Sequence, residues 1–195
     1  VTSIQGLVSV YYGHYSAGLP DYIMRQKTLS EIKGKCSLID NKKNYLHRGK
    51  YEQDALVASS NIIGRTTWDK ACAHFIAPES RYYFCNENLR SVFYDGSQWE
   101  YEKCNKYQIA ISQAGYPIKG LHKVIEAVAL LCNEFPDIKV KVGGANIFGG
   151  NWIKGNSYGI YIRQLLKKYN LQDQFEFEGF LSAEKMKRLL LESNV

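Results

Sequence analysis

From Lys106 onward the chain alternates short β-rich runs with amphipathic stretches, and this rhythm restricts its fold more than any other feature. Residues 107–112 (YQIAIS) form a β-rich run. Apolar side chains then fall at 121, 124, 125, 128, 131, 132 and 135, a helical stripe. Residues 138–142 (IKVKV) alternate as a strand does, and Tyr158, Ile162, Leu165, Leu166 and Tyr169 make a second helical face. Residues 175–177 read as a strand, followed by Ser182 as the N-cap of a helix bearing Met186, Leu189 and Leu190; Lys185 stands where a capping box would place an acid. Strand followed by helix, repeated with short loops, predicts a parallel sheet covered by helices, the doubly wound α/β class.

The first half is less regular but uses the same grammar. Residues 1–4 suit the end of a strand, 51–58 a helix, 60–63 a buried strand, and 66–75 a helix opened by Thr66 or Thr67. Residues 89–106, with Tyr94-Asp95-Gly96-Ser97 at their middle, lack periodicity and predict a connection between two units. Two units in 195 residues each bury a modest core. A hydrophobic fraction of 45% and a mean hydropathy of −0.33 exclude wholesale disorder. The longest apolar run, residues 124–132, is interrupted by Glu126 and falls short of the roughly 20 residues that span a bilayer. The N-terminus has neither a basic start nor a small-residue cleavage signal, and residue 1 is Val, so the expectation is that the true start lies upstream. The five cysteines include no Cys-x-x-Cys pair, which predicts buried, reduced thiols and no zinc site.

The formal charge of +6 is concentrated in one stretch. From Arg25 to Lys50 eight basic residues face two acids, Glu31 and Asp40, and the remainder of the chain is neutral. Such a stretch draws anionic surfaces, and Leu29, Ile32, Cys36 and Ile39 recur within it at near-helical spacing, with Gly34 weakening the helix. A solvated helix face is the alternative. Tyr45 is its one aromatic, which argues against single-stranded nucleic acid, whose binders interleave stacking rings with charge.

Three stretches point to chemistry. SQAGYPIKGLH, from Ser112 to His122, follows a strand and opens a helix, so backbone N–H groups, the helix dipole and Lys119 converge on a spot suited to phosphate. A plain strand-to-helix turn shaped by Pro117 and Gly120 is the alternative. VGGANIFGGNWIKGNSYG, from Val142 to Gly159, is a glycine-rich segment after a strand, where α/β sheets place ligands, although it matches neither the dinucleotide fingerprint nor the P-loop. IGRTTWD, from Ile63 to Asp69, sets Arg65 after a buried strand, either reaching an anion or pairing with Asp69 while Trp68 fills the core. His14, His47, His74 and His122 show no metal-ligand spacing and no neighbouring nucleophile.

Together, in this order, these stretches resemble glycosyltransferase family 4, retaining enzymes of the GT-B fold. IGRTTWD, CNENLR (85–90) with Phe93 and Tyr94, YPIKGLHKVIEA, VGG and FEGFLS (177–182) carry the resemblance. It implies α/β architecture with two Rossmann-like units, both incomplete in this chain: residues 1–105 as the C-terminal part of the acceptor-side domain with its linker, and 106–195 as the N-terminal part of the donor domain. It implies Lys119 as the catalytic cation on the nucleotide diphosphate, and Gln113, Gly120, Gly143, Gly144, Phe180 and Leu181 beside it at the donor. Gln113 stands where many relatives carry Arg. On the acceptor side it implies Gln5, Gly6 and Arg65, with Gln5-Gly6 at the position of a His-Gly pair. The implied reaction moves a hexose from a UDP- or GDP-sugar to a carbohydrate or lipid-linked acceptor of surface-polysaccharide synthesis, with no metal and no cofactor beyond the donor. A cytoplasmic enzyme, peripheral on the inner membrane face through residues 25–50 and not bound to nucleic acid, is the matching expectation. The family's glycine-rich acceptor loop would precede Val1 and its paired glutamates would follow Val195, so this segment alone is expected to be inactive. A noncatalytic nucleotide-sugar or nucleic-acid binding module is the alternative function.

Overall fold

A computed structural model describes residues 1–149 and 153–195. In chain order the first elements are β1 (Thr2–Ser3), α1 (Val8–His14), α2 (Asp21–Arg25), α3 (Leu29–Gly34), α4 (Leu38–Val57), β2 (Asn61–Gly64), α5 (Thr67–Ile76) and β3 (Arg81–Phe84). They are followed by β4 (Gln108–Ile111), α6 (Leu121–Leu131), β5 (Lys139–Gly143), α7 (Ser157–Lys168), β6 (Phe175–Gly179) and α8 (Ala183–Glu192). Among the described residues the strands form two three-stranded sheets, ordered β1-β2-β3 and β4-β5-β6, and every pairing is parallel. Each sheet with its helices is a Rossmann-like unit, the α/β class read from the alternation.

The chain divides into two compact units, one of residues 1–16 and 39–88, the other of residues 17–38 and 89–195. Packing therefore assigns 17–38 and 89–105 to the second unit, whereas periodicity alone draws the line at 105. In the first unit Ile4, Leu7, Leu56, Ile62, Ala73 and Ala77 form the core. Helix α1 has no side-chain cap of its own; the Glu52 carboxylate of α4 accepts from the Val8 amide at 2.7 Å. Gly49 lets α4 cross α1, since a Cβ there would lie 2.7 Å from the Ser9 Cα. Helix α5 opens with a capping box of Thr66 and Asp69, which decides between Thr66 and Thr67 as its start.

Several expectations need correction. The helix expected over 51–58 begins at Leu38. The single helical face through Leu29, Ile32, Cys36 and Ile39 does not exist: α3 stops at Gly34 and Lys35 turns left-handed (φ 49°) before α4 starts. Strand β3 went unread because RYYF is largely exposed and shows no alternation of burial. Trp68 is 43% exposed and stacks on Tyr11 at 5.8 Å instead of filling the core. No disulfide joins any of the five cysteines, but Cys36 and Cys85 are exposed and not buried as expected.

In the second unit β4, β5 and β6 run in register from Gln108↔Lys139 and Val140↔Phe175. The segment after α8 joins the other edge of β4: Asn105 and Ser193 form a parallel bridge and the Ala110 amide donates to the Val195 carbonyl at 2.6 Å. Chain order thus reverses direction at β4. A doubly wound sheet opens its ligand crevice beside such a reversal, outside the carboxyl ends of the strands.

Candidate functional site

Three loops meet at the carboxyl ends of β4, β5 and β6, and two glycines decide how closely. Gly144 (φ +105°) donates its N–H to the Gly179 carbonyl at 2.8 Å, and a Cβ on it would lie 3.3 Å from the Gln113 Cα. A Cβ on Gly143 would lie 3.2 Å from Leu181 and 3.4 Å from the Ser112 carbonyl oxygen. Gln113, Gly143, Gly144 and Leu181, four of the expected donor residues, are therefore neighbours. The β5–β6 pairing shifts register between Val142 and Gly143, so that Gly143 faces Gly179 and Glu178 is the extra residue. Around this junction lies a pocket of about 360 Å³, lined by Ala114, Gly143, Gly144, Phe148, Phe177 and Gly179 among others. Its size falls within the range of small-molecule sites.

Lys119 ends a short 3-10 turn of residues 117–119, and Gly120 (φ +79°) is the N-cap of α6, with no side-chain cap. The lysine is exposed, its ammonium 5.7 Å from the centroid of the Tyr116 ring, and it is not part of the pocket lining. The Lys119 and Gly120 amides donate to Tyr116 and Pro117, and those of Lys123 and Val124 to the Gly120 carbonyl. Phe180 is 85% exposed.

Phe148 and Phe177 were not singled out from sequence. Their rings meet edge to face at 4.4 Å on the pocket wall. The available signal was the alternation of FEFEG, which puts Phe175 and Phe177 on one face of β6 with Phe177 nearer the carboxyl end. The loop holding Phe148 is braced by Asn146, whose side-chain oxygen accepts the Phe148 amide at 2.9 Å. Gly150 of the glycine-rich stretch, with Asn151 and Trp152, lies outside the described residues.

In the other unit Gln5 is exposed, and a Cβ on Gly6 would lie 3.2 Å from the Tyr11 ring. The Arg65 guanidinium donates to the Gln5 carbonyl and pairs with Glu87 at 2.9 Å. Asp69 is buried and accepts the Arg65 and Thr66 amides at 3.1 Å, so the pairing read from sequence runs through backbone and not through the guanidinium. Within the basic stretch, α3 exposes Leu29 and Ile32, each 55%, together with Lys33, and Lys35 follows exposed at its end. Among the described residues no group of three or more His, Cys, Asp or Glu is placed to hold a metal ion, and no helix is long and apolar enough to cross a membrane.

Residues 98–195, half of the chain, match the family described as glycosyl transferases group 1, and this match contains the whole β4–β6 sheet and its loops. The chain belongs to that family. A solved structure, sucrose-phosphate synthase from Thermosynechococcus elongatus, matches 98% of this group 1 chain with a TM-score of 0.53 and 14% identity. The chain spans 42% of that protein, and the likeness concerns the fold, which is of the GT-B type. No curated protein matches the chain.

Proposed function

We propose that this group 1 glycosyltransferase is a family 4 enzyme that moves a hexose from a UDP- or GDP-sugar to a carbohydrate or lipid-linked acceptor in polysaccharide synthesis. One observation carries the reading: the loops after β4, β5 and β6 close on Gly143 and Gly144 beside the reversal of strand order, around a pocket of about 360 Å³. Glycine backbone there lets the three loops pack closely and frame the pocket. In this reading the diphosphate lies toward Lys119 and the first turn of α6, whose positive charge offsets the charge that grows on the leaving group as the glycosidic bond breaks. Gln113, Gly120, Gly143, Gly144, Phe180 and Leu181 border the donor, while Gln5, Gly6 and Arg65 belong to the acceptor side. Transfer retains the anomeric configuration and uses no metal. The exposed Leu29 and Ile32 beside Lys33 and Lys35 support a peripheral site for an anionic membrane face, where apolar insertion and cationic attraction act together.

Calorimetric titration with UDP and GDP tests the donor reading; one of the two binds and inorganic phosphate alone binds far more weakly. Failure of both to bind overturns it. In the full enzyme, transfer from radiolabelled donor persists in EDTA, and NMR of the product reports the anomer. Flotation with phosphatidylglycerol vesicles is expected to weaken as salt rises, and absence of flotation at low salt removes the membrane role.

A further inference from the structure

The pocket wall formed by residues 144–149 is held from outside by α7. Arg163, one helical turn after Gly159, donates from Nη2 to the Phe148 carbonyl at 3.0 Å. Its guanidinium carbon also lies 5.4 Å from the centroid of the Phe148 ring. One planar group therefore grips both the backbone and the ring of a single pocket residue, its fork and its flat face making the two contacts at once. The same ring meets Phe177 of β6, with centroids 4.4 Å apart and planes near perpendicular. Gly159 completes the contact: a Cβ there would overlap the Ile147 carbonyl oxygen, so the loop backbone rests directly on the first turn of α7. Asn156 caps that turn by accepting the Gly159 amide at 3.0 Å.

We propose that Arg163 is a positioning residue for the donor pocket: it touches no substrate, but fixes Phe148 against Phe177 and so sets the width of the pocket the nucleotide enters. This rests on the donor reading given above. A loop rich in glycine and asparagine samples many conformations when untied, and a ligand that needs one of them binds in proportion to its population. Removing the guanidinium takes away the one bond from α7 to the Phe148 carbonyl, and leaves the Phe177 ring contact and the local Asn146 bond to the Phe148 amide.

The test uses the whole chain and two readouts. Hydrogen exchange of the Phe148 amide, followed by NMR, is expected to speed up about tenfold in Arg163→Ala, while the thermal midpoint stays within about 2 °C of the parent. Calorimetry is expected to give a Kd for the bound nucleoside diphosphate about fivefold weaker in Arg163→Ala, and Arg163→Lys is expected to recover only part of the loss, because its shorter side chain and compact, strongly hydrated ammonium do not reproduce the planar fork. Gly159→Ala attacks the same loop through its backbone and should weaken binding further. Arg188→Ala, which removes an exposed cation from α8, should leave both readouts unchanged. Unchanged exchange at Phe148, or faster exchange with unchanged affinity, overturns the proposal. If the parent binds neither UDP nor GDP, the donor reading itself falls and takes the positioning role with it, a result distinct from binding that ignores Arg163.

Discussion

Helices α6 and α7 both begin at loops that follow strands of the second sheet, yet their first turns are finished in opposite ways. At α7 the first turn is occupied by protein: Asn156 accepts the Gly159 amide, and the Glu31 carboxylate, delivered from α3, accepts the Ser157 amide and hydroxyl at 2.9 Å. The other oxygen of Glu31 accepts the Thr28 amide at 2.8 Å, and Thr28 in turn donates its hydroxyl to the Gly155 carbonyl. At α6 the N-cap is a glycine with no side-chain cap, preceded by an exposed lysine. A helix start already neutralised by a buried carboxylate has no use for an external anion; one left uncapped beside a cation does. Within a single sheet, the contrast separates a turn closed by the protein's own side chains from a turn that lacks a side-chain cap.

The strongest way to break the comparison is at Glu31. It is 4% exposed, and Glu31→Ala strands the Ser157 and Thr28 donors inside the unit. We expect a loss of about 3 kcal/mol, or about 6–12 °C in Tm by calorimetry, because buried donors without acceptors carry their full desolvation cost. A change under a degree would mean that α3 is not anchored to α7. Next comes Lys119→Ala, expected to weaken UDP or GDP binding about tenfold with Tm unchanged, the effect of removing one charge-assisted contact to phosphate. Unchanged affinity would detach Lys119 from the donor. Asn156→Ala sharpens the contrast from the other side: it should cost about 1 kcal/mol of stability, the usual effect of a lost N-cap, and weaken nucleotide affinity by less than Lys119→Ala, since Asn156 acts on the pocket only through the first turn of α7.

The alternation after Lys106 was legible because each strand there buries one face and each helix carries one stripe: Val140 and Val142 are buried on β5, and Leu121, Ile125 and Val128 on α6. Caps at Thr66 and Ser182 were legible for the same local reason, a short hydroxyl side chain three residues ahead of an amide it can bond. The parts not legible depend on residues far apart in sequence. Nothing near Glu31 announces that its carboxylate closes a helix starting at Ser157, and nothing near Arg163 announces a bond to Phe148. Thr28 and Glu31 do spell a capping box, which the reading of 25–50 as a charge run passed over. For the donor site, the glycines and the turn at Lys119 stood out through composition, whereas the aromatic wall arises only when β6 lies beside the loop after β5.

The smallest expected effect concerns the side chain that joins the two helix starts. His122, the second residue of α6, is 1% exposed; one ring nitrogen, Nε2, lies 2.9 Å from the Ala17 carbonyl and the other, Nδ1, 3.1 Å from the Tyr158 hydroxyl of α7. A carbonyl only accepts, so Nε2 carries the proton and Nδ1 accepts from Tyr158 in the neutral ring. Burial holds its pKa below the ordinary histidine value, reinforced by Lys123 and opposed by the Ala17 carbonyl and Glu126. The unfolded chain therefore binds this proton more readily than the folded one, and stability contributed by the neutral ring is complete above the unfolded pKa of about 6.5 and declines as pH falls from there toward the folded value. Thermal midpoints measured from pH 8 down to pH 5 should show this decline, and His122→Gln, which offers a donor and an acceptor but no titration, should flatten it. An equal slope in the variant would place the acid sensitivity elsewhere and leave His122 as a packing residue between α6 and α7.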